Sequence, residues 1–237
     1  MADHHTAKAF DVDLQDLARM VAEMGGLSEK QIADAVDALA KRDARLAQRV
    51  VAVDPTIDAL QREIEERAIL TIARRQPMAV DLREIVGALR VSNDLERIGD
   101  LAKNIAKRVI ALGSEFHPNK VIRGVEHMND LVLGQLKQVL DAYARRDVGQ
   151  AMEVWRGDEE IDAVNNSLFR ELLTYMMEDP RNITFCTHLL FCAKNIERMG
   201  DHATNIAETV YFMIEGKPII EQRPKGDTTA FAALANG

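Results

Sequence analysis

An all-α fold, built as two tandem, pseudo-symmetric three-helix bundles, follows from three observations on the sequence. Of 237 residues 47% are apolar and 5% aromatic, with only 13 glycines and 6 prolines, a balance that favours helices over a turn-rich sheet protein. Apolar residues recur at helical spacing, as at Leu95, Ile98, Ala102, Ile105 and Val109, and again at Ile196, Met199, Ala203, Ile206 and Val210. The third observation is a repeat: LERIGDLAKNIA at 95–106 returns as IERMGDHATNIA at 196–207, with 8 of 12 positions identical at an offset of 101.

The helices follow in order. From Phe10 the stripe Leu14, Leu17, Val21, Met24, Leu27, Ile32, Val36, Leu39 predicts a long first helix, with Gly25 and Gly26 as its expected breaking point. Lys41, Arg42 and Asp43 suit a tight connection in which Asp43 caps the second helix. That helix turns Ala47, Val50, Val53, Ile57, Leu60, Ile64 and Ala68 inward and ends before Pro77. A third helix from about Met78 to Leu112 carries the first motif and stops at Gly113. Val121 opens a fourth, running through Met128, Leu136 and Leu140 to a turn at 145–147.

The repeat then resurfaces at an offset of 104: Asp37, Arg42, Asp43, Val50, Asp54, Ile57 and Asp58 fall on Asp141, Arg146, Asp147, Val154, Asp158, Ile161 and Asp162. The three-residue change of offset is absorbed in the loops near Pro77 and Pro180. A single fifth helix is expected to end around Met177, and a sixth to start at Pro180 and close at Gly216 and Pro218. The units are thus 1–114 and 115–216, joined near 115–119, with 217–237 read as a disordered tail.

Glu96 and Asp100 stand about 40° apart and one turn along, so the carboxylates share a face, as do Glu197 and Asp201. That face points nearly opposite the apolar stripe, toward solvent or a groove. Like charges at this spacing cost about a few tenths of a kcal/mol. Gly99 and Gly200 cost about 1 kcal/mol each against alanine. Two unfavourable choices recur together, which calls for compensation from outside the helix.

Asp54/Asp58 and Asp158/Asp162 repeat the one-turn spacing on the second helix of each unit. If helices two and three are antiparallel neighbours, four carboxylates meet in one groove per unit and must bind a cation or raise a pKa. All-oxygen sets suit hard cations such as Mg²⁺, Mn²⁺ or Ca²⁺, and bridging carboxylates also suit iron. Asn104 and Asn205 are candidates to add an amide oxygen, and His202 a nitrogen in the second groove. A single acidic pair is ordinarily a solvated surface. Here the polar and glycine positions recur while the apolar ones drift (Leu95 to Ile196, Ile98 to Met199), the reverse of what packing alone preserves. Arg97 and Arg198 admit three readings: solvated, balancing the acids, or docking a partner. The methionines, Met176 and Met177 included, and Trp155 read as core or contact residues.

A net charge of −8 and a pI near 5.3 argue against broad nucleic-acid binding. Cys186 and Cys192 lie 6 apart in one helix, out of bridging reach, and read as reduced thiols of a cytosolic protein. No signal core or membrane span is evident, so membrane contact is expected only through partners. The sequence holds no G-x-x-x-x-G-K-[ST], G-x-G-x-x-G, G-x-S-x-G, C-x-x-C, H-E-x-x-H or E-x-x-H, leaving enzymatic chemistry little support.

The doubled LERIGD/IERMGD helices, each preceded by a D-x-x-I-D segment at Asp54 or Asp158, closely resemble the PhoU family of phosphate-uptake regulators over nearly the whole chain, about Phe10 to Gly216. The resemblance implies two three-helix bundles with surface metal clusters on E(D)-x-x-x-D motifs, here Asp54, Asp58, Glu96, Asp100, Asp158, Asp162, Glu197 and Asp201. It further implies a non-enzymatic cytoplasmic adapter, a homodimer, that links the PstSCAB phosphate ABC transporter to the sensor kinase PhoR and represses the starvation response when phosphate is plentiful. Mg, Mn, Fe and Zn are the metals to consider. A carboxylate-bridged metal enzyme and a metal-free scaffold are the alternatives. Leu101 in place of His202 makes the two metal sites unequal.

Overall fold

The structure, a computed structural model, describes residues 2–113 and 119–221, and the side chains of residues 10–113, 121–157 and 159–221. The described residues form α1 (Ala2–Lys41), α2 (Ala44–Arg75), α3 (Val80–Leu112), α4 (Asn119–Arg145), α5 (Val148–Arg156), α6 (Asp158–Glu178) and α7 (Ile183–Glu215), with a 3₁₀ turn at Pro180–Asn182 and no strand. Of the expected junction at 115–119, residues 115–118 lie outside the described residues, as does the tail from 222 onward, while Asn119 opens α4.

The connections between helices one and two of each unit repeat in atomic detail. Asp43 caps α2 by accepting from the Arg45 and Leu46 amides at 2.9 Å, and Asp147 caps α5 by accepting from the Gln150 amide at 3.0 Å. Each aspartate is preceded by an arginine in the left-handed region, Arg42 at φ 55 and Arg146 at φ 56. The Asp43 and Asp147 amides then reach back to the Ala38 and Ala142 carbonyls at 2.9 Å, satisfying helix-end acceptors. α2 ends at Arg75, ahead of Pro77, with Gln76 in the left-handed region and its amide donating to the Ile72 carbonyl at 3.0 Å, a helix-end closure.

Two expectations fail on helix continuity. α1 does not begin at Phe10 or break at Gly25 and Gly26; it runs from Ala2 to Lys41. The reason is tertiary: a Cβ on buried Gly25 would stand 2.7 Å from Leu140 Cδ1, so the missing side chain seats α4 against α1. The fifth helix is not single. It is cut at Gly157, whose amide caps α5 on the Glu153 and Val154 carbonyls at 3.0 and 3.1 Å. The matching position in α2 is Val53, and there the helix continues, with Pro55 inside it.

Within each unit the helices pack on one another, and the most extensive helix pairing in the molecule joins the units, α3 against α7, with α1 against α4 beside it. Arg90 stacks on Phe212 and Arg108 on Phe191, with 4.7 and 4.1 Å to the ring centroids, so α3 and α7 run antiparallel. Buried side chains from both units, among them Met24, Ile64, Leu95, Ile105, Met128, Leu136, Leu189 and Ile196, form one connected core. Each such side chain contributes about 1.5–3 kcal/mol by leaving water. Met20, Met24, Met128, Met199 and Met213 are core fillers as expected, but Met177, in the last turn of α6, is 85% exposed.

Candidate metal-binding grooves

The first groove lies between α2 and α3. Residues 96, 100 and 103 form one face of α3, and residues 54 and 58 one face of α2. Asp54 is buried at 5% exposure, and Asp58, Glu96 and Asp100 are half-buried. That is deeper than acids set opposite an apolar stripe suggest. The four carboxylates sense one another: burial raises the Glu96 pKa, the Asp100 charge adds to the rise, Arg97 opposes it, and Asp58 and Asp54 contribute further upward pressure. Arg97 itself reaches Glu96 Oε2 at 3.6 Å.

A cation already stands among these acids. Lys103 Nζ donates to Asp54 Oδ2 at 2.6 Å and also to Asp100 Oδ1, tying α2 to α3. Burial disfavours its charge, but the hydrogen bonds and charges of Asp100 and Asp54 outweigh burial and hold the ammonium pKa above the ordinary lysine value.

Gly99 occupies the same face of α3. A Cβ there would come 2.9 Å from Gln31 Oε1 and 3.2 Å from Ile57 Cδ1, so glycine lets α3 approach α1 and α2 closely. Gln31 Nε2 donates to the Val50 carbonyl at 3.3 Å, while its Oε1 is buried without a hydrogen-bond partner.

The second groove repeats the scaffold. A Cβ on Gly200 would stand 3.0 Å from Ile161 Cδ1 and 3.7 Å from Gln135 Oε1, an oxygen that is also buried without a hydrogen-bond partner. Asp162 and Glu197 are buried on α6 and α7, which pack together, and Asp201 is half-buried. Lys194 Nζ pairs with Glu197 Oε2 at 2.9 Å. Asp158 opens α6 directly after Gly157; its side chain lies outside those described.

Two of the three proposed auxiliaries sit elsewhere. His202 Nδ1 lies 2.8 Å from Asp94 Oδ1 on α3, and Asn205 Nδ2 donates to the same oxygen at 3.4 Å, so both serve the seam between units and not the second groove. Asn104 is exposed. Arg198 is exposed too, whereas Trp155 is buried and donates to Glu208 Oε1 at 3.1 Å. Cys186 and Cys192 are buried free thiols; burial pushes the Cys192 pKa up to about 12, which leaves it unreactive.

Sequence reasoning missed Lys103 and the paired glutamines. Gln31 and Gln135 were within reach, since they match at the offset of 104. Lys103 was not, because the repeat places Thr204 there, whose Oγ1 donates to the Gly200 carbonyl at 3.0 Å.

Among the described residues no three carboxylate, imidazole or thiolate groups are already gathered at metal-ligand spacing. The donor chemistry of the first groove nonetheless fits a hard cation: its oxygens hold a positive charge between two helices, and one ammonium leaves four carboxylates with an excess of negative charge. A metal there has to draw the acids inward and compete with Lys103.

A duplicated helical protein with an acid-lined groove in each half is therefore the class that fold and site define. The PhoU domain matches residues 21–109 and again residues 125–210. The chain is 58% identical over 230 residues, 97% of each chain, to the phosphate-specific transport system accessory protein PhoU homolog of Rhizobium meliloti (strain 1021). It is 54% identical over 223 residues, covering 94% of this chain and 97% of the relative, to the protein of the same description in Caulobacter vibrioides (strain NA1000 / CB15N). The crystal structure of PhoU from Pseudomonas aeruginosa superposes with a TM-score of 0.84 at 41% identity, covering 88% of this chain and 100% of that one. That of the phosphate transport system regulatory protein PhoU from Streptococcus pneumoniae gives 0.82 at 27% identity, covering 90% and 100%. The chain belongs to the PhoU family.

Proposed function

We propose that the protein is a non-enzymatic, cytoplasmic regulator of phosphate uptake that couples the Pst transporter to the PhoR kinase and represses the starvation response when phosphate is plentiful. The observation that carries this reading is the acidic motif held in both halves, in a chain whose relatives are named accessory and regulatory proteins of phosphate transport. No helix among the described residues is long and apolar enough to cross a membrane. Asp54, Asp58, Glu96 and Asp100 hold metal in one groove, and Asp158, Asp162, Glu197 and Asp201 in the other. Bound metal supplies charge neutralisation and a cross-link between helices two and three; Mg, Mn, Fe and Zn are the candidates. The working unit is a homodimer.

Pull-down of the Pst ATPase and the kinase from phosphate-rich and phosphate-starved extracts tests the adapter role; association with neither partner in either condition overturns it. A metal-free scaffold is the second reading, favoured by the Lys103 bridge that already neutralises part of the first groove. Elemental analysis of purified protein with and without Asp100→Asn decides between the two, the metal reading requiring bound metal that the substitution lowers.

A further inference from the structure

We propose that Lys103 is a tethered cation that keeps the first groove closed to metal, and that a multivalent ion enters by expelling its ammonium. This rests on the reading that the groove takes metal, and adds the residue that sets how tightly. The Lys103 side chain is only 20% exposed and its Nζ bridges two acids on different helices, Asp54 Oδ2 at 2.6 Å and Asp100 Oδ1. Two of the groove's four carboxylates are thereby engaged by one unit of charge. A divalent ion supplies twice that charge to the same oxygens, while the four-carbon stem lets the ammonium swing to the rim and recover its hydration.

The device belongs to the first half. At the matching position the second half has Thr204, and its lysine, Lys194, lies instead on the other side of Glu197 with its side chain 47% exposed. Metal occupancy in the first groove therefore carries a signal that the second does not: it frees a half-buried lysine and removes the bridge between α2 and α3.

The test uses the metal-stripped full chain. Mn²⁺ and Zn²⁺ are titrated by calorimetry into wild type, Lys103→Met and Lys103→Arg, and wild-type lysines are acylated with and without metal and read by mass spectrometry. Lys103→Met is expected to tighten one binding event by about tenfold or more, since a competing charge within contact distance is gone. Lys103→Arg, which keeps the cation, stays near wild type. Acylation of Lys103 rises several-fold on metal addition, while exposed Lys107 serves as the unchanged control. Metal binding by wild type with no tightening in Lys103→Met and no change in acylation overturns the proposal and leaves the metal reading standing. Absence of binding in all three proteins overturns both. If Lys103→Met fails to fold, the acylation contrast in wild type decides alone.

Discussion

In the first half α2 passes unbroken through Pro55, whereas the same stretch of the second half is cut at Gly157 into α5 and α6, directly before the aspartates. The counter-cations differ in the same way: Lys103 bridges α2 and α3 from within one groove, while Lys194 pairs with an acid of its own helix in the other. The seam between the units is also uneven. Asp94 on α3 is met by His202 and Asn205 of α7, but the repeat positions of Asp94 and His202 are Asn195 and Leu101. Two copies that keep the same acids, glycines and glutamines have therefore diverged in the helix beneath the acids, in the cation beside them and in the bonds between halves. The acids need only two adjacent helices held close by a glycine, a condition that both backbones meet.

The largest expected effect tests whether the halves are one folding unit. Leu95→Ala and Ile196→Ala remove fully buried side chains at matching positions and should each cost about 2–5 kcal/mol. Because α3 and α7 share a core, each is expected to lower a single calorimetric transition; two separate transitions in either variant would show independent units.

Next is the seam. His202→Leu copies the first half's residue and leaves buried Asp94, among the described residues, with the 3.4 Å bond from Asn205 alone, at a cost of about 1–3 kcal/mol in chemical denaturation. The reciprocal Leu101→His should destabilise as well, as it buries an imidazole where the repeat offers Asn195 in place of an aspartate. A neutral result for His202→Leu would remove the Asp94 contact from the account of how the halves are joined.

Smaller again is the glycine contrast. Alanine gains about 1 kcal/mol of helix propensity at either site. At Gly99 it meets Gln31 Oε1 at 2.9 Å as well as Ile57, and at Gly200 chiefly Ile161 at 3.0 Å. Gly99→Ala should therefore be the less stable of the two by about 1 kcal/mol; the opposite order in urea melts would mean the first half repacks more readily.

The smallest effect is electrostatic. The folded Glu96 pKa lies above the unfolded value, so the folded state holds the proton more tightly and stability falls as pH rises through that window. Glu96→Gln should then raise the stability of the metal-free protein at pH 7 by about a few tenths of a kcal/mol, solvent screening limiting the gain. The gain should vanish below about pH 4, where glutamate is protonated in both states. A loss of stability at pH 7 would mean that Lys103 already overcompensates the groove.

Much of the site was legible before the fold. The one-turn spacing of Asp54/Asp58 and Glu96/Asp100, with glycine between the latter pair, was visible because helical periodicity converts spacing into direction. His202 and Asn205 were misread because direction around one helix does not say which neighbour lies there, and α7 faces α3 on that side. Gly25 was misread as a break because propensity is local, while the contact that rewards the missing Cβ comes from Leu140, 115 residues away.

The sequence by itself determined an all-helical, duplicated chain with acids at matched positions, since composition, period and repeat are properties of the chain alone. Only the tertiary structure decided that the halves share one core through α3 and α7, that the second helix is broken in one half and whole in the other, and that Lys103 lies among the acids. Those outcomes depend on long-range packing and on the electrostatics of groups brought together by folding, which local periodicity does not encode.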